Sequence, residues 1–420
     1  MTDIHSLLER NRAGEPIGLP CFCTANEHVV RSIFRYAADH HFPVVIEATC
    51  NQVNQDGGYT GMNAEDFSRW VSALGTQFGV VPSNIVLGGD HLGPNPWRHL
   101  PADRAMAKAD ALVRDFAAAG FRKIHLDASM ACGNESTPSF KTVAERAARL
   151  CKIAETYSPH PDQLVYIIGT EVPIPGGETD DMDTLTVTSV QRLRETIDTH
   201  QVAFARLGME HVWERIVSVV TQPGVDFSHT AIHRFEPAKA EALSHAVQDF
   251  DHLTFEAHST DYQPTKALQE LVAKHFFFLK VGPELTFRMR EAVFALAHLR
   301  DHLLSGDAGG GVLQALDEAM DNKPENWEAY YRGTPEDIRQ LRHFSYSDRI
   351  RYYWTEPLVK TRLDALLTSL AGKPLPDTVI SQYFPRRAFG EIQASPEHLV
   401  ADHVSACTER YYEACGFKTG

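Results

Sequence analysis

Eight short apolar runs alternate with amphipathic helical stretches over the first three quarters of this 420-residue chain, and this alternation limits the fold more than any other feature. Strands that alternate with helices form parallel βαβ units, and eight units predict a closed (β/α)8 TIM barrel of the α/β class, with an open doubly wound sheet as the alternative. The eight runs are Ile17–Cys23, Pro43–Ala48, Asn84–Gly89, Lys123–Asp127, Leu164–Gly169, Ile216–Val220, His252–Glu256 and Phe276–Val281.

The pattern changes near residue 303. The stretch Leu303–Gly311 is rich in glycine, which is typical of a boundary loop. The chain beyond it has helical periodicity with many charged and aromatic residues, as in Ile338–Trp354. We therefore predict a barrel domain at residues 1–302 and a helical C-terminal extension at residues 303–420.

Charge and composition exclude several classes of partner. A formal net charge of −15 argues against nucleic acid, which requires clustered Lys and Arg, but local basic groups can still hold a small phosphorylated substrate. No apolar run reaches the ~18 residues of a membrane span. The seven cysteines are scattered and are interpreted as reduced thiols of a cytoplasmic protein. Homo-oligomerisation is left open.

Acidic, amide and imidazole side chains follow most of the apolar runs. In a (β/α)8 barrel, the chemistry gathers where the strands end. Helix capping accounts for Asp, Ser and Thr at such positions, but it does not call for His or Glu. The sequence therefore predicts an active site at this end of the barrel.

His91 and His258 are the first candidates for metal ligands. Each follows a predicted strand and lies next to carboxylates, and neutral imidazole is the commonest ligand for zinc and similar ions. Three protein ligands are usual in a catalytic site, and the third could be His125, Gln222 or Glu171. The expected cofactor is a divalent metal ion, with zinc as the first choice.

Asp90 and Asp127 are predicted to act in acid–base catalysis or to orient the substrate, with Glu171 as a second candidate base. The glycines and hydroxyls of later loops could let backbone amides approach a phosphate. The residues predicted to bind substrate are Glu47, Asn51, Gln52, Asn95, Ser129, Gly177, Ser259, Asp261, Glu284 and Thr286.

Seven stretches together resemble the tagatose-bisphosphate aldolase Z-subunit family, often labelled tagatose 6-phosphate kinase, over essentially the whole chain. They are Ile46–Met62, Leu87–Trp97, Lys123–Met130, Ile168–Glu178, Phe255–Gln263, Leu279–Ala297 and Ser347–Trp354. The resemblance implies an aldolase-like barrel acting on phosphorylated ketohexoses.

The family is similar to the catalytic class II aldolases. By this resemblance Asp90 corresponds to their acid and His91 to a zinc ligand after the third strand. His258 corresponds to the zinc ligand after the seventh strand. Their remaining ligand follows the sixth strand, where this chain has Gln222, so Gln222 and His125 both stay open as the third ligand. Asp127 and Glu171 match the carboxylates of the fourth and fifth strands.

Three functions follow from the resemblance. The chain could interconvert D-tagatose 6-phosphate and D-fructose 6-phosphate as a metal-dependent 4-epimerase, through cleavage and re-formation of the C3–C4 bond. It could instead be a non-catalytic subunit that stabilises a catalytic Y subunit of D-tagatose-1,6-bisphosphate aldolase in galactitol catabolism, or it could catalyse the aldolase reaction itself. A kinase is not expected, because the sequence lacks a GxxxxGK[ST] loop.

Overall fold

Eight parallel strands close into a barrel in the computed structural model, which describes residues 4–170, 185–304, 311–385 and 395–418. The TIM-barrel prediction is confirmed. The barrel strands are β1 Leu19–Cys23, β2 Val44–Thr49, β3 Ile85–Leu92, β4 Lys123–Leu126, β5 Val165–Ile168, β6 Ile216–Val220, β9 Thr254–Ala257 and β10 Phe276–Val281. A separate antiparallel hairpin, β7 Asp226–Phe227 and β8 Ile232–His233, follows β6.

Helices cover the outside of the barrel. The amphipathic stretches predicted between the runs appear as helices. The helices of the barrel region are α1 Ile4–Arg12, α2 Glu27–His40, α3 Ala64–Gln77, α4 Ala102–Ala118, α5 Phe140–Tyr157, α6 Val190–Arg206, α7 Glu241–Val247, α8 Thr265–Ala273 and α9 Pro283–Leu303.

Two apolar layers surround the strands. The larger layer lies between the strands and the outer helices, and the smaller one fills the barrel interior. Ile4 and Leu8 of α1 belong to the inner layer together with strand residues such as Val45 and Phe277. The N-terminal part of the barrel is therefore packed with hydrocarbon, which leaves the polar residues to the opposite end.

Two glycines allow close approaches beneath the barrel mouth. A Cβ on Gly88 would lie 2.6 Å from Cγ and Oε1 of Glu47, and a Cβ on Gly93 would overlap the carbonyl oxygen of Asp127. Gly88 therefore leaves room for a carboxylate inside the barrel, and Gly93 lets the chain after β3 pass close to the chain after β4.

The C-terminal region is helical where it is described, as predicted. Its helices are α10 Gly311–Asn322, α11 Pro335–Phe344, α12 Pro357–Leu370, α13 Asp377–Tyr383 and α14 Pro396–Ala414. Helix α14 packs against α2, α8 and α9 of the barrel. Tyr412 on α14 stacks on Tyr36 and donates a hydrogen bond to the carbonyl oxygen of Pro43 at 2.8 Å. The region is thus integrated with the barrel wall, and α9 ends next to the predicted boundary at residues 302–303.

The stretch predicted to be helical at Ile338–Trp354 is interrupted. Helix α11 ends at Phe344, and a 3-10 helix begins at Arg349 and ends at Tyr353. Asp348, immediately before it, has a φ of 45°, which is left-handed backbone and incompatible with a continuous helix. The buried carboxylate of Asp348 contacts Arg290 and Thr286 of α9, and these contacts outweigh the local helical pattern.

All seven cysteines are free thiols. Among the described helices, none combines the length and the apolar character that a membrane crossing requires.

Candidate active site

Three imidazoles meet at the end of the barrel where the strands finish. His91 lies in β3, His125 in β4 and His258 just after β9. The ring centroids are 5.1 Å apart for His91 and His125, 4.9 Å for His91 and His258, and 5.1 Å for His125 and His258. All three side chains are buried. The structure therefore brings together three of the four side chains that the sequence predicted as metal ligands.

His125 presents a nitrogen that is ready to coordinate a metal. Its Nδ1 is 3.0 Å from Oδ1 of Asp90 and 3.2 Å from the backbone nitrogen of His91, and these contacts call for opposite tautomers. An ionised Asp90 favours a proton on Nδ1, which leaves a lone pair on Nε2. Within the described part of the chain, the buried Nε2 has no hydrogen-bond partner. A buried imidazole nitrogen of this kind is costly unless a ligand satisfies it.

Asp90 is held as a carboxylate. Burial by itself raises its pKa, but His91, a hydrogen bond with His125, and His258 outweigh burial and keep the pKa below its usual range. The ammonium of Lys280 lies 2.9 Å from Oδ1 of Asp90, and the thiol of Cys23 donates to Oδ2 at 3.5 Å. Asp90 is therefore an ionised carboxylate in a site sheltered from water.

His91 is oriented by Asp127. The two side chains are joined through Nδ1 and Oδ2 at 2.9 Å, and Ser129 donates its hydroxyl to the other oxygen of Asp127 at 2.6 Å. Burial lowers the pKa of His91, but Asp90 and Asp127 raise it to about 9. Since Nδ1 donates to Asp127, the other ring nitrogen of His91 is Nε2, which lies 3.7 Å from Oδ2 of Asp90.

Glu256 orients the third histidine in the same way. Its Oε1 is 2.8 Å from Nε2 of His258, and its Oε2 is 2.5 Å from the ammonium of Lys123. Burial lowers the pKa of His258, which favours the neutral form that binds metals. One ligand atom from each of Asp90, His125, Glu256 and His258 lies within 4.8 Å of the others.

Two buried lysines complete the polar layer and were not predicted as site residues. Lys123 of β4 and Lys280 of β10 both contact the carboxylate of Glu47, and the distance from Lys123 Nζ to Glu47 Oε1 is 2.7 Å. Lys123 and Glu47 have no exposed surface. Glu47 was predicted to bind substrate, but the structure engages both of its oxygens with these lysines.

A cavity opens directly above these groups. Asp90, His91, His258 and Lys280 form part of its wall. Five of the residues predicted to bind substrate also line it: Asn51, Gln52, Ser259, Asp261 and Thr286. Of the predicted catalytic residues and metal ligands, Asp90, His91 and His258 thus share one cavity with half of the predicted substrate-binding residues.

Asp261 is unusual among these lining residues. Burial raises its pKa to about 7, although its Oδ1 accepts hydrogen bonds from the backbone nitrogens of Gly282 at 3.0 Å and Glu284 at 2.8 Å. It can therefore change charge near neutral pH while it holds the loop after β10.

Other predicted site residues have different partners. The side-chain oxygen of Gln222 accepts hydrogen bonds from the backbone nitrogens of Gly224 and Val225, and Gln222 does not belong to the metal-capable groups found among the described residues. Glu284 pairs with Arg288 and Arg410 instead of lining the cavity. Asn95 hydrogen-bonds the thiol of Cys50. Glu171 and Gly177 lie outside the described residues.

Several cavity residues come from places that strand-end patterns do not reach. Lys280 lies inside an apolar run, where its charge in a buried strand was its only sequence signal. Tyr59 comes from the loop after β2, and Arg351 and Tyr352 come from the C-terminal region. Arg351 and Tyr352 lie in the stretch Ser347–Trp354, and Tyr59 lies in Ile46–Met62; the family resemblance included both stretches but gave these three residues no role.

A family model described as D-tagatose-1,6-bisphosphate aldolase subunit GatZ/KbaZ-like matches residues 4–416. A solved structure described as a probable tagatose 6 phosphate kinase from Sinorhizobium meliloti 1021 is 43% identical, covers 95% of this chain and 100% of that chain, and has a TM-score of 0.87.

Two more distant structures are each 14% identical. Fructose-bisphosphate aldolase from Campylobacter jejuni has a TM-score of 0.47, with 87% of this chain and 91% of that chain covered. The YdjI aldolase from Escherichia coli K12 has a TM-score of 0.42, with 86% and 96% covered. This level of similarity does not bear on function.

Proposed function

Because the chain belongs to the GatZ/KbaZ-like family of D-tagatose-1,6-bisphosphate aldolase subunits, we propose that its own cavity is a metal-dependent active site for a phosphorylated ketohexose. The observation that carries the proposal is the triangle of His91, His125 and His258 beside the ionised Asp90. A subunit that only supports another chain has no chemical need for this arrangement, although common descent can preserve unused residues.

The donor set fits a divalent cation. The three imidazoles are oriented by carboxylates: His91 by Asp127, His125 by Asp90 and His258 by Glu256. The Nε2 of His125 is buried and has no partner among the described residues. The polar layer of Asp90, Asp127, Glu47, Glu256, Lys123 and Lys280 contains two more carboxylates than ammonium groups. We propose His91, His125 and His258 as the ligands and zinc as the metal, since zinc commonly takes three protein ligands in catalytic sites.

The proposed reaction is the 4-epimerisation of D-tagatose 6-phosphate and D-fructose 6-phosphate. When bound, the cation supplies a Lewis acid for the ketose carbonyl. The carboxylate of Asp90 accepts the proton of the C4 hydroxyl as the C3–C4 bond breaks. The bonding electrons pass to C3, and C4 becomes an aldehyde.

The aldehyde then rotates and presents its opposite face. C3 re-forms the bond, and Asp90 returns the proton to the C4 oxygen. No electrons leave the substrate, so the reaction needs no redox cofactor. The ammonium of Lys280, 2.9 Å from Oδ1 of Asp90, holds this carboxylate in place, while burial of the site excludes water. Glu171, outside the described residues, is retained as a second proposed base.

Support of a separate catalytic subunit is the second candidate function, because the matching family model is described as an aldolase subunit. In this case the partner would be the catalytic Y subunit. The kinase activity after which the Sinorhizobium structure is named is not proposed, since the sequence has no GxxxxGK[ST] loop.

The deciding experiment is incubation of the purified, zinc-loaded chain with D-tagatose 6-phosphate, followed by 13C NMR. Appearance of D-fructose 6-phosphate supports the epimerase. Asp90→Asn is the matched control: it should retain zinc and lose about 100-fold or more of the rate, because the proton acceptor is removed. Absence of turnover in a zinc-loaded wild type, together with stimulation of a co-purified aldolase subunit, would favour the supporting role.

A further inference from the structure

The mouth of the cavity is formed partly by the C-terminal region. Residues 347–355, here called the mouth segment, contribute Arg351, Tyr352, Trp354 and Thr355 to the lining. The segment is anchored to α9, because Asp348 accepts hydrogen bonds from Thr286 at 2.7 Å and Arg290 at 3.2 Å. Tyr352 also contacts Tyr59 edge to face, with 4.8 Å between ring centroids. The segment is therefore held at the mouth from two sides.

Among the described residues, Lys280 and Arg351 are the lysine and the arginine of the cavity wall. Lys280 is engaged by Glu47 and Asp90 beneath the cavity. Arg351 is half-buried, and no ion pair of the described residues includes it within 4 Å. Its contacts are with neutral oxygens: the carbonyls of Ser347 and Asp348 and the hydroxyl of Tyr352, at 2.9 Å for the last.

These contacts leave part of the guanidinium available. A guanidinium has five N–H groups. The Nη1 of Arg351 donates to the two carbonyls, and Nη2 uses one hydrogen for Tyr352. Among the described residues, the Nε hydrogen has no hydrogen-bond partner and Nη2 has one, so the edge that carries Nε and Nη2 has donors for a ligand. An edge with two parallel donors matches a phosphate or carboxylate in bidentate geometry.

We propose that Arg351, positioned by Tyr352, binds the phosphate of a ketohexose 6-phosphate at the cavity mouth. This inference rests on the proposed function, in which the ketose carbonyl lies at the histidines. The phosphate of such a substrate is at the opposite end of the carbon chain, and Arg351 comes from the mouth segment, whereas the histidines come from the strand ends. The C-terminal region thus selects phosphorylated sugars over free ones.

The test measures binding and does not require turnover. Isothermal titration calorimetry of the zinc-loaded full chain compares D-fructose 6-phosphate, D-fructose and D-fructuronate, whose charge is a carboxylate. We expect the wild type to bind the phosphate at least about 30-fold more tightly than the free sugar, and Arg351→Gln to reduce this preference to less than about threefold. Arg339→Gln, a change of an exposed arginine on α11, is the matched control and should keep the wild-type preference.

Arg351→Gln could also disturb the turn, since Arg351 donates to Ser347 and Asp348, so the melting temperature is measured for every variant. Tyr352→Phe is the second variant: it removes the hydroxyl that holds Nη2 and should weaken fructose 6-phosphate binding about threefold to tenfold. The proposal would be overturned if the wild type shows no preference for the phosphate or binds fructuronate with equal affinity. It would also be overturned if Arg351→Gln retains the preference or if Tyr352→Phe leaves the affinity unchanged.

The two proposals fail in different ways. Loss of the phosphate preference in Arg351→Gln supports the mouth-segment site even if the wild type does not epimerise tagatose 6-phosphate. Epimerisation with an unchanged preference in Arg351→Gln would support the proposed function and overturn the role of Arg351.

Discussion

His258 is the single residue that best tests the proposed metal centre, because it belongs both to the imidazole triangle and to the compact metal-capable group. We expect His258→Ala to lose most of its bound zinc, about tenfold or more in affinity, while the barrel remains folded. Inductively coupled plasma mass spectrometry after dialysis measures zinc, and circular dichroism monitors folding. His298→Ala, at an exposed position of α9, is the control. Equal zinc in both variants would refute the assignment.

Asp261 gives the chain a specific pH dependence of stability. Its pKa is raised to about 7 in the folded state by burial, and the ordinary value is about 4. Its neutral form therefore favours folding: the contribution is fully present below about pH 4 and is lost as pH rises through 7.

Asp261→Asn removes this titration while the side-chain oxygen can still accept from Gly282 and Glu284. We expect the stability of the wild type relative to this variant to fall by about 1.4 kcal/mol per pH unit between pH 5 and 7. Urea unfolding of both proteins across this range measures the difference. A constant difference would mean that Asp261 does not titrate there.

At the residue scale, sequence patterns are most informative where an imidazole stands at or beside a predicted strand end. His91, His125 and His258 were identified in this way, and the structure brings their rings together. Lys280 was not identified, because the role of a charged residue within an apolar run cannot be inferred until its partners on other strands are known. Gln222 shows the converse: its position after β6 matched a ligand, but its side chain turns back to its own loop.

At the scale of elements, α9 and α14 are joined by a buried carboxylate. Glu284 in α9 pairs with Arg410 in α14, with Arg288, and with the backbone nitrogen of Tyr262. It was predicted to bind substrate, but these contacts indicate a structural role. We expect Glu284→Gln to lower the free energy of unfolding by about 2 kcal/mol, because it removes a buried carboxylate from two partly buried arginines.

Chemical denaturation measures this loss, and the affinity for fructose 6-phosphate distinguishes the two roles. A structural residue should leave that affinity unchanged. Glu241→Gln is the control, since its ion pair with Lys274 lies on the surface and should contribute little. Weaker sugar binding with unchanged stability would restore the substrate-binding prediction for Glu284.

The elements themselves were largely predictable, because burial on both faces gives parallel strands a continuous apolar sequence. The break between α11 and the following 3-10 helix was not. Ile338–Trp354 has a helical pattern throughout, and only the tertiary contacts of Asp348 with α9 favour its left-handed backbone. The local sequence does not reveal contacts with residues that are distant in the chain.

For the whole molecule, the integration of α14 into the barrel wall makes barrel and C-terminal region interdependent. Tyr411, Tyr412 and Cys415 are fully buried, and the backbone carbonyl of Cys415 accepts a hydrogen bond from Gly18 beside β1. We expect a chain ending at residue 394 to expose the apolar faces of α2 and α8 and to lose cooperative unfolding.

The soluble fraction and the sharpness of thermal unfolding measure this effect, with a chain ending at residue 418 as the control. A truncated chain that remains soluble and unfolds cooperatively would show that the barrel is an independent domain, as the predicted boundary at residues 302–303 implies.

The interlocked charges of Glu47, Lys123, Glu256 and Lys280 also restrict how this protein can change over evolutionary time. Each group forms an ion pair with a group on another strand, so neutralising one leaves its partner as an uncompensated buried charge. A substitution at one of these positions is therefore expected to require a compensating substitution at its partner on another strand. The floor of the site is therefore expected to change as a block, because its four charges depend on one another.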